Sequence, residues 1–198
     1  MNASISSNRI YFQGNPWPEG HKIKDFQWTL EIIDAEVWFH FHLVTDDYYA
    51  ERDIEDDENL DYPSEWNAPI VWGNYHRCTI SSTDWHEGGF KVCEIDKYSL
   101  DFLNELELSV DALPCDLNDH DAKAFQIYLL GHDTVVDHCI KFFRIERTDN
   151  FRIQWNGKIA LTYVGDYEPS HQFNLEIASV KAPTLYFKPC LIVAGLKP

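Results

Sequence analysis

Apolar side chains recur at every second position along much of this chain, the spacing of strands that turn one face to a core. Phe26, Trp28, Leu30 and Ile32 alternate with Asp25, Gln27, Thr29 and Glu31. Beyond Asp34-Ala35 the odd positions Val37, Phe39, Phe41 and Leu43 take over. An even-length turn brings both rows to the same side, so the pattern predicts a hairpin closed at Asp34-Ala35. A second alternating stretch flanks Asn156-Gly157, with Phe151, Ile153 and Trp155 before it and Ile159, Leu161 and Tyr163 after it. A two-residue loop there would pair Trp155 with Lys158 and split the apolar rows across two faces. A three-residue loop pairs Ile153 with Ile159 and Phe151 with Leu161, which predicts a second hairpin with Gly157 in the left-handed conformation.

Further strands are expected over 9–13, 69–80, 90–95, 105–110, 124–130, 135–146 and 172–178, with weaker candidates at 184–188 and 190–194. Helical spacing is confined to a turn or two at Tyr98–Leu106 and at Asp47–Asp57. Short strands divided by Gly, Pro and Asx residues argue against βαβ units. The expected fold is mostly β: an antiparallel β-sandwich or open barrel of roughly ten or more strands with little helix. No linker or repeat divides the chain, so 1–198 is read as a single β-rich domain. Its least regular stretch is an acidic loop at 46–68, followed by 112–122.

Composition narrows the class. Of the 198 residues, 44% are hydrophobic and 15% aromatic, enough to fill a core without covalent staples. The 5 cysteines are an odd number with no C-x-x-C spacing, and Met1 to Arg9 lacks an apolar signal region. Reduced thiols in a cytoplasmic protein are therefore expected, with no membrane association. The formal charge is −17 and unevenly spread: 140–198 holds 5 acids and 8 bases, leaving 28 acids and 8 bases in 1–139. Such a field repels nucleic acid and anionic membranes and speeds encounter with basic partners. Lys141, Arg144, Arg147, Arg152 and Lys158 form a modest basic patch, expected to pair with the protein's own acids.

The acidic loop is the leading candidate site. Residues 46–65 carry ten acids against the single base Arg52. The candidate docking residues are Asp46, Asp47, Glu51, Asp53, Glu55, Asp56, Asp57, Glu58 and Asp61, with Tyr48, Tyr49, Tyr62 and Trp66 as aromatic anchors among them. Like charges at this density gain from a cation, a basic partner or water. Calcium would need a turn glycine and regularly spaced oxygen ligands, and no glycine falls in this stretch.

Three other constellations carry candidate chemistry. His40 and His42 share a strand face and form a candidate metal pair, with Asp46 in phase. His40-Phe41-His42 resembles the H-x-H pair of cupins over those three residues, without the flanking glycines or a downstream histidine motif. His76 and Cys78 fall in phase with Ile70, Trp72 and Ile80, which would make them inward neighbours on a strand. Asp116-Leu117-Asn118-Asp119-His120-Asp121 reads as an Asx-rich turn. No nucleophile elbow, phosphate loop, dinucleotide fingerprint or H-E-x-x-H motif occurs.

These features point to a binding protein rather than an enzyme, with no cofactor. The expected function is capture of a basic protein through an acidic face, as an immunity or inhibitor protein neutralises a cationic toxin. One alternative is a small-ligand or sugar-binding protein, or metal-dependent enzyme, built around His40 and His42. Another is the structural subunit of a homo-oligomer.

Overall fold

The computed structural model describes residues 8–52, 61–82, 88–119 and 121–185. The described residues form ten strands: β1 (Arg9–Phe12), β2 (His21–Ile33), β3 (Glu36–Thr45), β4 (Thr79–Ser81), β5 (Phe90–Glu94), β6 (Glu107–Val110), β7 (Gln126–Tyr128), β8 (His132–Arg144), β9 (Asn150–Ala160) and β10 (His171–Lys181). Two short helices, α1 (Pro69–Gly73) and α2 (Leu100–Leu103), lie between strands. Mostly β is correct, but sandwich or open barrel is not. Antiparallel pairing runs β2-β1-β10-β9-β8-β7-β4-β3 and returns from β3 to β2, closing an eight-strand barrel. β5 and β6 lie outside the ring, on β3 and β8.

The first predicted hairpin is present. Phe26 faces Leu43, Trp28 faces Phe41, Leu30 faces Phe39 and Ile32 faces Val37. Asp34 (φ 50°) and Ala35 (φ 64°) are both left-handed, the backbone that lets a two-residue turn follow the strand twist.

The hairpin predicted at Asn156-Gly157 does not form. β9 runs through both residues without a turn, bonded to β8 on one side and β10 on the other. The apolar row on odd positions is continuous, and Gly157 occupies one inward place in it. A Cβ there would lie 2.7 Å from Phe173 Cε1 and 2.8 Å from His138 Nδ1, so bulky neighbours fill the space the glycine leaves. The actual turn lies at 145–149, where the Thr148 N–H donates to Ile145 O and Arg147 is left-handed.

The strand predicted over 69–80 is also corrected. Pro69 stands in the first turn of α1, where its missing N–H costs nothing and its fixed φ suits a helix. Trp72 drops from α1 into the core, its indole N–H donating to Trp66 O at 2.9 Å. Only Thr79–Ser81 is strand. Of the weaker strand candidates, Thr184 and Leu185 are irregular and the remaining positions lie outside the described residues. In the helical candidate at Asp47–Asp57, residues 47–52 form turns and the others lie outside the described residues.

Aromatic side chains fill the barrel. Phe41 is fully buried and lies 5.1–6.3 Å, ring centre to ring centre, from Phe26, Phe90, Phe142 and Trp155. A second cluster caps the end where β1 and β2 meet: Phe12, Trp17, His21, Tyr48, Trp66 and Trp72. Burial, with Arg52 and Arg9 close by, lowers the His21 pKa to about 3. His138 is likewise buried and lowered to about 3, with its Nδ1 accepting the Trp155 indole N–H at 3.0 Å.

Candidate partner-binding face

The described parts of the acidic loop, 46–52 and 61–68, lie at the capped end and are tied down. Asp46 sits 3.8 Å from Lys22, and Asp47 accepts the Tyr49 N–H while lying 3.6 Å from His76. Glu51 receives both terminal nitrogens of Arg9, at 3.2 and 2.6 Å. The neighbouring Arg52 pairs with Glu19 and lies 5.2 Å above the Trp17 ring. Tyr49 is half-buried and donates its hydroxyl to Pro69 O.

Two of the expected anchors face inward. Tyr48 is 1% exposed and donates to Leu129 O, and Trp66 is 2% exposed, stacked on His171 at 3.9 Å. Their side chains support the loop from beneath and are not available to a partner. Asp61 and Glu65 are exposed and Tyr62 is partly so. Asp53, Glu55, Asp56, Asp57 and Glu58 lie outside the described residues.

Alternation drew attention to strands, and so the aromatics that do stand outward on this end were missed. Tyr163, Val164 and Tyr167 are 63%, 52% and 51% exposed, on the connection from β9 to β10. The local sequence Thr162-Tyr163-Val164-Gly165-Asp166-Tyr167 carries the signal: large apolar residues in a turn, where solvation favours polar ones. Thr162–Val164 makes a single helical turn that ends at left-handed Gly165.

Tyr163 is seated against the backbone of the preceding turn. Its ring lies on Gly131, where a Cβ would approach Tyr163 Cγ to 2.6 Å. Nearby, the buried carboxylate of Asp133 accepts the Leu130 N–H at 3.1 Å, and the Tyr163 backbone N–H is close enough to favour its charged form. Burial pushes the Asp133 pKa up to about 6. Tyr75 connects this turn to the acidic segment: burial raises its phenol pKa, with Tyr163 and Glu65 close enough to add to the effect. Tyr163, Val164 and Tyr167 thus stand exposed on one turn, with Asp166 and Glu168 bracketing Tyr167 in sequence.

The other candidates are dispersed. His40 and His42 share the outer face of β3, but His40 reaches Glu31 at 3.4 Å and His42 bonds Ser81 at 3.0 Å. No group of three or more His, Cys, Asp or Glu side chains able to hold a metal occurs among the described residues. His76 is exposed with φ 63°, whereas Cys78 is buried with its thiol pKa pushed well up by desolvation. They are not inward neighbours, because the strand expected to carry them begins only at Thr79.

The Asx-rich reading of 116–121 fits what is described there. Asp116 and Asp119 accept the N–H groups of Asn118 and Ala122. The Lys123 ammonium, 4% exposed, is held by the carbonyls of Asp116, Leu117 and Asp119, so the turn carries its own cation.

The basic patch is largely neutralised within the molecule. Lys141 pairs with Glu107, Arg144 with Asp101, Arg152 with Glu176 and Lys158 with Asp137. Among the described residues, no helix is long and apolar enough to cross a membrane. The chain matches no family model, no curated protein and no solved structure.

Proposed function

We propose that this chain is a binding protein that captures a basic protein partner on the capped end of its barrel, in the manner of an immunity or inhibitor protein inside a cell. The observation that carries the reading is Tyr163, an exposed aromatic seated on Gly131 in the β9–β10 turn at the capped end. A side chain already immobilised loses little conformational freedom when a partner covers it, and aromatics of this kind dominate interface energetics. Carboxylates around it would steer a cation-rich surface toward the patch, while the patch itself would hold it. The internal pairing of the basic strip supports the same reading, since it leaves the surplus of acid to set the external field.

Capture from the source cell's lysate at low and high salt, by wild type and by a Tyr163→Ala/Tyr167→Ala double variant, tests this. The expected result is a basic protein whose association slows steeply with salt. Truncating an interface anchor costs on the order of 2 kcal/mol, roughly 30-fold in affinity. Binding indifferent to salt, or undiminished in the double variant, would overturn the proposal.

A further inference from the structure

The ring of strands is continuous at the capped end but opens below β1. β1 pairs with β2 only at Lys22 and His21, and the last bond on that edge runs from the Ile23 N–H to Asn8 O. On β10 the corresponding edge ends where the Ala178 N–H donates to the Asn8 side chain. Asn8 is left-handed (φ 60°), so the extended backbone of β1 begins only after it. Below it, β2 and β10 run side by side with no strand between them among the described residues.

Two grooves mark this slot. One, of about 220 Å³, is lined by Asn8, Ile23, Phe26, Ile177 and Val180 with their neighbours. The next, of about 370 Å³, is lined by Trp28, Thr29, Leu30 and by Lys181 to Thr184. Two features of its wall call for an occupant. The apolar row of β3 (Val37, Phe39, Phe41, Leu43) is fully buried, whereas the facing row of β2 is uncovered toward the tip, with Phe26 and Leu30 only half-buried and Ile32 42% exposed. Trp28 is 7% exposed, yet its indole N–H has no acceptor among the described residues. A buried donor left unpaired is destabilising, and a backbone carbonyl in the slot would satisfy it.

We propose that this slot receives the chain's own C-terminal residues, 190–194, as an added strand antiparallel to both β2 and β10. The described chain reaches the slot's lower end at Pro183 and Thr184, so the 13 residues after Leu185 start beside it. Thirteen residues span up to roughly 43 Å when extended, ample to turn back and run the length of the slot. Cys190-Leu191-Ile192-Val193-Ala194 is an uninterrupted apolar run bounded by Pro189 and Gly195, with the β-branched residues that suit a strand. Its backbone would pair with two edges that are otherwise open to unrelated strands.

Cys190 supplies the probe. Thr29→Cys and Ser179→Cys are introduced singly, the protein is oxidised, and disulfides are mapped by mass spectrometry. A bond from Cys190 to either introduced thiol within one molecule is expected. In parallel, hydrogen exchange compares the intact chain with one ending at Leu185 and one beginning at Asn8. Ending at Leu185 should raise exchange of slot-facing amides in 24–32 and 179–182 at least tenfold. Amides of β3 and β8 should stay protected, showing that the barrel remains folded. The proposal fails if no intramolecular bond to Cys190 forms, or if slot protection survives the shortened C-terminus. It also fails if protection is lost instead on starting at Asn8, or if it varies with protein concentration as a second copy would require.

Discussion

The two ends of the barrel are built from the same alternating strands but are closed by different means. At the capped end, short strands β1, β4 and β7 bridge the long ones, and backbone hydrogen bonds run around the whole ring. At the other end the bridging stops. β4 holds β3 only at His42, Leu43 and Val44, and β7 holds β8 only at His132 and Asp133. Beyond those points the β2–β3 hairpin packs on β8 and β9 through side chains, with Trp28 5.3 Å from Phe142 and 5.9 Å from Phe151. Closure by backbone leaves no edge. At the open end β5 and β6 cover the edges of β3 and β8, and the edges left without a strand among the described residues are those of β2 and β10 below β1.

Truncation at the two ends should therefore differ sharply. Trp72→Ala removes a fully buried indole from the cap, along with contacts to Phe12, Trp17, His21, Tyr48 and Trp66. It is expected to cost about 3–5 kcal/mol. Ile33→Ala at the open end, outside the apolar row, removes a side chain that is 37% exposed, and the expected cost stays below about 0.5 kcal/mol. Urea unfolding of both variants measures the contrast, and comparable midpoint shifts would erase the distinction.

A smaller effect separates two glycines on the same grounds. Gly157→Ala pushes a Cβ against the Phe173 ring and His138 Nδ1 inside the barrel, with an expected loss of about 2–3 kcal/mol. Gly88→Ala meets nothing within 4 Å and should change stability by less than about 0.5 kcal/mol. Thermal or urea unfolding gives both values. A tolerated Gly157→Ala would mean that the interior there is looser than its distances indicate.

Gly157 also shows where the sequence was legible and where it was not. The parity of apolar positions foretold the β2–β3 hairpin and its shared apolar face, because both rows had to reach one core. The same parity held from Phe151 through Ile159, and there a turn dipeptide was given more weight than the unbroken row it interrupts. Local turn preference lost to tertiary pairing on both flanks of β9. Pro69 was underweighted in the opposite sense, since a proline opening an apolar run favours a helical first turn over a strand. Ring closure was not legible, because strand order depends on contacts far apart in sequence. Nor was the outward patch: alternation identifies what is buried, and Tyr163 matters for being exposed in a turn.

The finest distinction between regions is electrostatic, and pH resolves it. His21 in the cap and His138 in the barrel have folded pKa values of about 3, below the ordinary 6.5. Each resists protonation in the folded state, so their contribution is present above about pH 6.5 and is lost as pH falls toward 3. Asp133 beneath Tyr163 has the opposite sign. Its folded pKa is about 6 against an ordinary 3.8, so it contributes a loss of stability as pH rises from about 4 to 6. Asp133→Asn removes that contribution, while any weakening of its bond to the Leu130 N–H is common to every pH. The stability of the variant relative to wild type should therefore increase between pH 4 and pH 7, on the order of 1–2 kcal/mol after allowing for solvent relaxation around the carboxylate. Urea unfolding of both proteins at the two pH values measures the change. A difference independent of pH would show that the carboxylate beneath Tyr163 titrates as an ordinary surface acid, and that the turn presenting Tyr163 is less firmly seated than its burial implies.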